Sequence, residues 1–418
     1  MGYATGSENV PYRGATGGRD TQILYLFEGE QAYLHATRAG LKVRQDGWRF
    51  DVFVAHRFEG YTLSRQPQST DGMALREPGL DAGVAVRKRT GWGTPYAELT
   101  HDVSHNSQGT ELKLGYWNEW ARGGLTLRPH AALAWRNDKL NDYYYGVRPG
   151  EATAQRPAYT PGAGVDLLLG LYGTYRLSGN WNLVGQLTAG RRSAGVRGSP
   201  IVEDRFDAAF MLGVLYDFSQ PMKQLAPESK PLIVRTYYGY SSDCDMVPIM
   251  RLACTETQTL DNTEVFAIEA GRTLMRRPFD WPVDVAGFLG VQRHLEKGFQ
   301  SDFWQVHAYV KGYYYGFPWD KWVRTRFGFG SGLAYAERVP LMEQRDQARR
   351  NRSTWKLLNY FDPTVDVRLG DLFGSRSLKD TYGGLGVSHR SGMFGMSQFF
   401  GDVNGGSNWI YFFLETSI

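Results

Sequence analysis

The chain has 418 residues and a formal net charge of +4, too small a charge over that length to indicate a nucleic-acid-binding protein. It holds 50 Gly, 25 Tyr, 22 Phe and 12 Trp, and its mean hydropathy is −0.42. Its longest apolar runs, such as residues 208–215, fall far short of the ~18–20 residues that a membrane-spanning helix needs. Two classes remain: a large all-β protein in water, and an outer-membrane β-barrel whose lipid face alternates with a polar lumen and so escapes hydropathy averages.

In chain order, residues 1–20 are polar and Gly-rich. They read as a flexible mature N-terminus whose export signal has been cut off or left out, because no charged and apolar leader pattern is present. Alternating segments of about ten to fourteen residues follow, the length of tilted spanning strands. In one of them Trp48, Phe50, Val52 and Val54 oppose Arg49 and Asp51; in another, Phe327 and Phe329 oppose Arg326, Gly328 and Gly330. The pattern places strands near 21–29, 31–45, 47–61, 79–90, 94–105, 109–121, 124–137, 165–178, 181–193 and 206–219. A second set falls near 231–241, 259–272, 282–294, 303–317, 323–337, 354–369, 379–391 and 407–418.

Short connections such as Gln45-Asp46-Gly47 and Arg122-Gly123 alternate with long ones such as 62–78, 138–164 and 338–353. Tight turns on one side and long loops on the other are the pattern of an outer-membrane barrel, with the long loops outside. The expected fold is therefore all-β: a transmembrane antiparallel barrel system of about 18 strands. It closes either as one large barrel or as a 10-strand plus 8-strand tandem. The divisions are a flexible 1–20, a barrel half over 21–219, a periplasmic linker over 220–231 with three prolines in its neighbourhood, and a second barrel half over 232–418.

Cys244 and Cys254 are the only cysteines. Both lie in one expected outer loop, and in an exported chain their spacing suggests a disulfide. On the strand near 379–391, His389 and Ser391 share the apolar face with Leu385 and Val387, and Asn408 heads the corresponding face of the last strand. A His beside a hydroxyl can act as general base for a serine nucleophile, with a third group orienting the imidazole. Ser391, His389 and Asn408 thus form a candidate catalytic set where a lipid-facing wall meets lipopolysaccharide; hydrogen bonding to head groups is the plainer alternative. His101 and His105 are placed on one strand face without the further ligands a metal needs. Phe327 to Gly332 is Gly-rich but lies on a strand, which excludes a phosphate loop. Tyr313, Tyr314, Tyr315, Trp319 and Trp322 read as an aromatic girdle, and Arg349, Arg350 and Arg352 as a solvated loop or a phosphate-binding one. No cofactor or metal site is expected.

The motif Asn141-Asp142-Tyr143-Tyr144-Tyr145-Gly146-Val147, then Arg156-Pro157-Ala158-Tyr159 and Ser199-Pro200-Ile201-Val202, resembles the MltA-interacting protein (MipA/OmpV) family over residues 20–220. The resemblance implies a Gram-negative outer-membrane barrel, a scaffold linking a murein lytic transglycosylase to murein synthesis, and no catalytic residues. The second half resembles the lipid A 3-O-deacylase PagL through His389-x-Ser391 and Asn404-Gly405-Gly406. That likeness implies an esterase acting on lipopolysaccharide. The acidic third member of that family falls on Asn408 here, and Asp402 is the nearest carboxylate to replace it. Three functions follow: a scaffold in outer-membrane lipid, a deacylase using Ser391, His389 and Asn408, and a passive pore.

Overall fold

The computed structural model describes residues 1–15, 17–203, 206–217, 231–257 and 260–418. The chain separates into two units, Met1–Gln220 and Pro221–Ile418, and the strands of each unit form a separate antiparallel sheet. One barrel of about eighteen strands is thereby excluded. The segment read as a linker falls, apart from Pro231, outside the described residues.

In the first unit thirteen strands lie on one continuous path, and the short strand Trp120–Arg122 pairs only with Leu125–Arg136. The two ends of the path are Gly18–Leu24, which pairs with Gly2–Glu8, and Leu26–Glu28, which pairs with Ala32–His35. Only Tyr25 separates these end strands in sequence, so one run of chain brings both ends of the sheet together and the barrel nearly closes. This corrects the ten strands expected over 21–219. Residues 1–20, expected to be flexible, supply Gly2–Glu8, whose other edge pairs with Asp207–Tyr216. That strand carries no apolar alternation, because its inward positions Ala4 and Gly6 are small and pack at Gly213 and Met211. The tight turn at Asp46-Gly47 has positive φ at both residues (49° and 77°), the hairpin geometry matched to strand twist.

The second unit is a closed eight-strand barrel made of Leu232–Ser242, Glu264–Arg276, Val283–Leu295, Phe303–Tyr314, Thr325–Ala336, Leu357–Arg368, Thr381–Ser391 and Gly406–Ser417. Strand order follows the sequence, and the last strand pairs back on the first from Ile233–Ser417 to Ser242–Asn408. Closure leaves no edge, so the backbone groups of the wall pair within the sheet where lipid offers no partner, with one gap in the ladder at Asp362-Pro363 opposite Val387-Ser388. Outward positions such as Phe266, Ile268, Leu289, Val306, Phe412 and Leu414 are exposed, an apolar band fitted to lipid tails.

The inward positions are polar and buried. Arg235 Nη1 donates to Asp362 Oδ2 at 2.7 Å and to the Tyr309 hydroxyl at 2.9 Å. Lys311 Nζ also donates to Asp362. Glu269 accepts from Tyr309 at 2.7 Å, and His307 Nε2 lies 2.7 Å from its other oxygen. Nearer the tight-turn end, Arg326 bridges Asp366 and Glu415, and the Tyr313 hydroxyl donates to Glu415. Tyr313, read as part of an aromatic girdle, is therefore a lumen residue. The alternating glycines of Phe327–Gly332 make room for this network: a Cβ on Gly328 would sit 2.5 Å from Lys311 Cε, and one on Gly330 2.8 Å from Tyr309. An eight-strand barrel is just wide enough for its side chains to fill, and these fill it, so this unit holds no open pore.

Removing one member leaves buried charge without compensation, which costs about 3–5 kcal/mol. Asp362→Asn strands Arg235 and Lys311, and the urea unfolding midpoint of the vesicle-inserted protein is expected to fall accordingly. An unchanged midpoint would mean that the network is incidental to stability.

Candidate functional site

Two regions gather the residues that the sequence singled out. The first is on the wall of the second unit. His389, Ser391 and Asn408 do share its outward face, and His389 lies directly across from Asn408 in register. Their hydrogen bonds, however, run elsewhere. The His389 Nδ1–H lies 3.2 Å from the Ser407 carbonyl, Ser391 Oγ accepts the Met393 amide at 3.2 Å, and Asn408 Nδ2 donates to the Cys244 carbonyl at 2.9 Å.

Cys244 and Cys254 form a disulfide, with Cα atoms 5.8 Å apart. The short helix Met246–Met250 between them packs through Ile249, with both cysteines, on Val387 and Ile410. The loop thus lies against the wall at these three residues, and Ser391 and Asn408 are only 7% and 6% exposed. Asn408 holds the disulfide loop to the barrel through the Cys244 carbonyl; no hydrogen bond joins the imidazole to the Ser391 hydroxyl among the described residues. Asp402 is buried, with φ of 54°, and its carbonyl accepts Arg352 Nη1 at 2.9 Å. Arg350 Nη1 likewise donates to the Asn404 carbonyl, at 3.0 Å. Arg350 and Arg352 therefore tie two outer loops together, beside the helix Leu341–Arg349, whose Arg349 pairs with Asp346 of the same helix. That helix sends Glu343 to Ser407 and, at 3.0 Å, to Arg390 inside the barrel.

The second region is the long-loop end of the first unit. Four connections meet there in one core of Tyr12, Tyr61, Met73, Leu140, Tyr144, Tyr145, Val147, Val196, Ile201 and Val202. The helix Asp138–Tyr145 starts at Asn137, whose side chain accepts the Leu140 amide, a common N-cap. This places Tyr144 and Tyr145 inward, with Tyr145 donating to Glu59 at 2.8 Å. The motif residues bond to one another: Ser199 Oγ donates to the Tyr145 carbonyl at 2.6 Å, Val147 pairs with Tyr159, and the Tyr159 hydroxyl reaches the Gly195 carbonyl at 2.8 Å. Arg156 holds the carbonyls of Ser69, Asp71 and Glu151.

Two carboxylates anchor this cap. Glu59 takes both Nη atoms of Arg136 at 2.7 Å and Arg192 at 2.5 Å, pinning a loop residue to the ends of the two strands that flank Gly164–Ser178. Burial works to raise its pKa, but the surrounding guanidiniums of Arg136, Arg192 and Arg57 hold it well below the usual carboxylate range. Glu151 receives Arg76 Nη2 at 2.6 Å and Nη1 at 3.1 Å, together with the Ala74 and Arg148 amides. Desolvation again opposes ionisation; the Arg76 hydrogen bonds and these amides outweigh it and bring the group down to about 2.

Neither carboxylate was marked in the sequence, since a lone Glu in a long loop carries no local signal. His101 and His105, placed on one strand face, are separated by the end of Thr94–Asp102, and His105 has φ of 66°.

Closed and nearly closed antiparallel barrels with apolar outer faces, polar interiors and long loops at one end define an outer-membrane β-barrel protein. Residues 1–218 match the MltA-interacting protein MipA family, and the chain belongs to that family. It is 31% identical over 181 residues to outer membrane protein Omp26La of Vibrio anguillarum, covering 42% of this chain and 70% of that protein. Outer membrane protein OmpV of Vibrio cholerae is 30% identical over 135 residues, covering 32% of this chain. The MltA-interacting protein of Escherichia coli K12 is 28% identical over 144 residues, covering 34%. The chain spans 52% and 58% of these last two relatives. The protein is thus an outer-membrane β-barrel of MipA/OmpV type, located in the Gram-negative outer membrane.

Two outcomes follow from the two regions. A depressed carboxylate stabilises the fold above its unfolded value near 4.5, and that stabilisation is lost as pH falls towards its folded value. Amide exchange at Ala74 and Arg148, corrected for intrinsic pH dependence, is therefore expected to speed up between pH ~4.5 and ~2, and Glu151→Gln to abolish the protection at neutral pH as well. Retained protection in the variant would remove Glu151 as an anchor. At the other region, lipid A from cells expressing the parent and Ser391→Ala is expected to be identical by mass spectrometry; loss of an acyl chain with the parent alone would restore the proton relay.

Proposed function

We propose that this protein is an envelope scaffold, anchored by its barrels, whose periplasmic surface holds a murein lytic transglycosylase. The name of the Escherichia coli relative records an interaction with MltA, and the part of the chain that matches it is the first unit. The contact is therefore sought at the tight-turn end of that unit, which faces the periplasm when the long loops face out.

One observation carries the reading. Four turns of this end each present an exposed Trp: Trp48, Trp92, Trp120 and Trp181, from 43% to 62% exposed. Cations stand close by: Lys88 Nζ lies 4.8 Å from the Trp48 ring, and Arg122 ends the strand of Trp120. Exposed Trp with neighbouring cations is the composition of contact hot spots. A girdle that only fixes barrel depth also uses Trp, and binding separates the two roles. The full chain, purified in detergent, is expected to retain a lytic transglycosylase from the same cells, and Trp92→Ala with Trp120→Ala to weaken retention by about tenfold or more. Equal retention by parent and variant would assign these residues to the girdle and remove the scaffold surface.

A further inference from the structure

The lumen of the first unit is lopsided. On the side formed by residues 38–102, ion pairs fill it, including Arg38–Glu98 at 2.7 Å, Arg49–Asp51 at 2.7 Å and Arg57–Asp81 at 2.5 Å. On the other side lies a cavity of about 1310 Å³, against Gly2–Glu8, Gly18–Leu24, Gly164–Ser178, Trp181–Arg191 and Asp207–Tyr216. Small-ligand pockets usually hold ~300–1,000 Å³. At mid-height its lining includes the uncharged Gln22, Tyr172, Gln186, Thr188 and Met211, with Asp20 at the level of Met211 and Arg128 at the level of Tyr172. Glu8 and Glu28, also in the lining, belong to the strand ends.

The wall beside this cavity has a window. The hairpin Ala32–His35 and Arg38–Gln45 is short and turns over at Ala36-Thr37. The Ala36 amide reaches the Tyr25 carbonyl, and the His56 amide reaches the Thr37 carbonyl. Beyond that level, towards the long loops, the sheet path ends at Gly18–Leu24, and no strand pairs with its far edge among the described residues. Trp48–Arg57, the next strand round the wall, has run out into its loop there. Arg65 Nη2, donating to the Arg19 carbonyl at 3.2 Å, bridges the top. From Arg19 to Tyr25 the opening is about 20 Å tall at strand rise. Gln22, Leu24, Ala36, Thr37 and Phe58 border it and also line the cavity, so the two are continuous.

The loop cap closes the mouth above. A solute from the water on the long-loop side therefore meets the packed core of the cap, whereas a lipid tail in the outer half of the membrane meets the window. We propose that the window admits one acyl chain of an outer-leaflet amphiphile into this cavity on the side of the lumen free of the ion-pair cluster, with its head group left at the membrane surface. The chain can come from a free fatty acid or from a resident phospholipid.

The test uses the full chain in phospholipid vesicles with two photoactivatable probes, a fatty acid and a phospholipid, each with a diazirine at the end of an acyl chain. After irradiation, adducts are mapped by peptide mass spectrometry. The expected result is adducts on inward Met211 and Gln22; labelling by the fatty acid alone assigns the site to free amphiphiles, and labelling by the phospholipid assigns it to membrane lipid. In Gln186→Trp with Thr188→Trp, which fills the cavity, adducts on Met211 should drop about tenfold or more. Adducts on outward Leu212 and Val214 should be equal in both proteins and report a folded wall. Adducts confined to the outward residues, or lumen adducts that persist in the filled variant, would overturn the proposal.

Discussion

A sheet inside a membrane must satisfy its backbone hydrogen bonds within itself, because hydrocarbon provides no substitute. The rest of the structure depends on how each unit meets that constraint. In the second unit the pairing of Leu232–Ser242 with Gly406–Ser417 closes eight strands, and the narrow ring forces inward side chains together. They can be charged only because each charge finds an opposite one, as Arg235 and Lys311 find Asp362. In the first unit a single run of chain pairs on one side through Gly18–Leu24 and on the other through Leu26–Glu28. Closure by two half-length pairings is what leaves part of the wall unladdered and makes a side opening possible.

The wider ring also needs more to close it. Its long connections meet over the lumen, and residues of the motifs noted in the sequence hold them there: Tyr144, Tyr145, Val147, Ile201 and Val202 pack together, and Ser199 and Tyr159 bond across loops. The cap is tied down by Glu59, which gathers Arg136 and Arg192, and by Glu151, which gathers Arg76 and two amides. What distinguishes this part of the protein is thus a packed lid built on a barrel. Among the described residues its tight-turn end presents tight turns that carry the exposed Trp48, Trp92, Trp120 and Trp181.

The barrel class was legible in the sequence because it rests on period-two alternation and on connection lengths, as at Trp48–Val54 and Asp46-Gly47. The division into two sheets was left open, since alternation says nothing about which strand closes on which. Gly2–Glu8 escaped notice because a strand whose inward positions are Ala and Gly shows no apolar period. The wall set His389, Ser391 and Asn408 was correctly placed on one face, yet its partners lie in the loop that the sequence could not fold. Asn408 holds Cys244, and the imidazole and the serine bond to backbone. Glu59 and Glu151 were invisible for the same reason: their role is defined by arginines 75 to 133 residues away in sequence.

The central claim is that both lumens are shut along their axis, one by its own side chains and the other by its cap. Single-channel recording of the full chain in a planar bilayer at neutral pH tests it most directly. The account predicts insertion, verified by protection of the strands from protease, without steady conductance steps. A stable, ohmic open level in the parent protein would contradict it and establish the molecule as a pore.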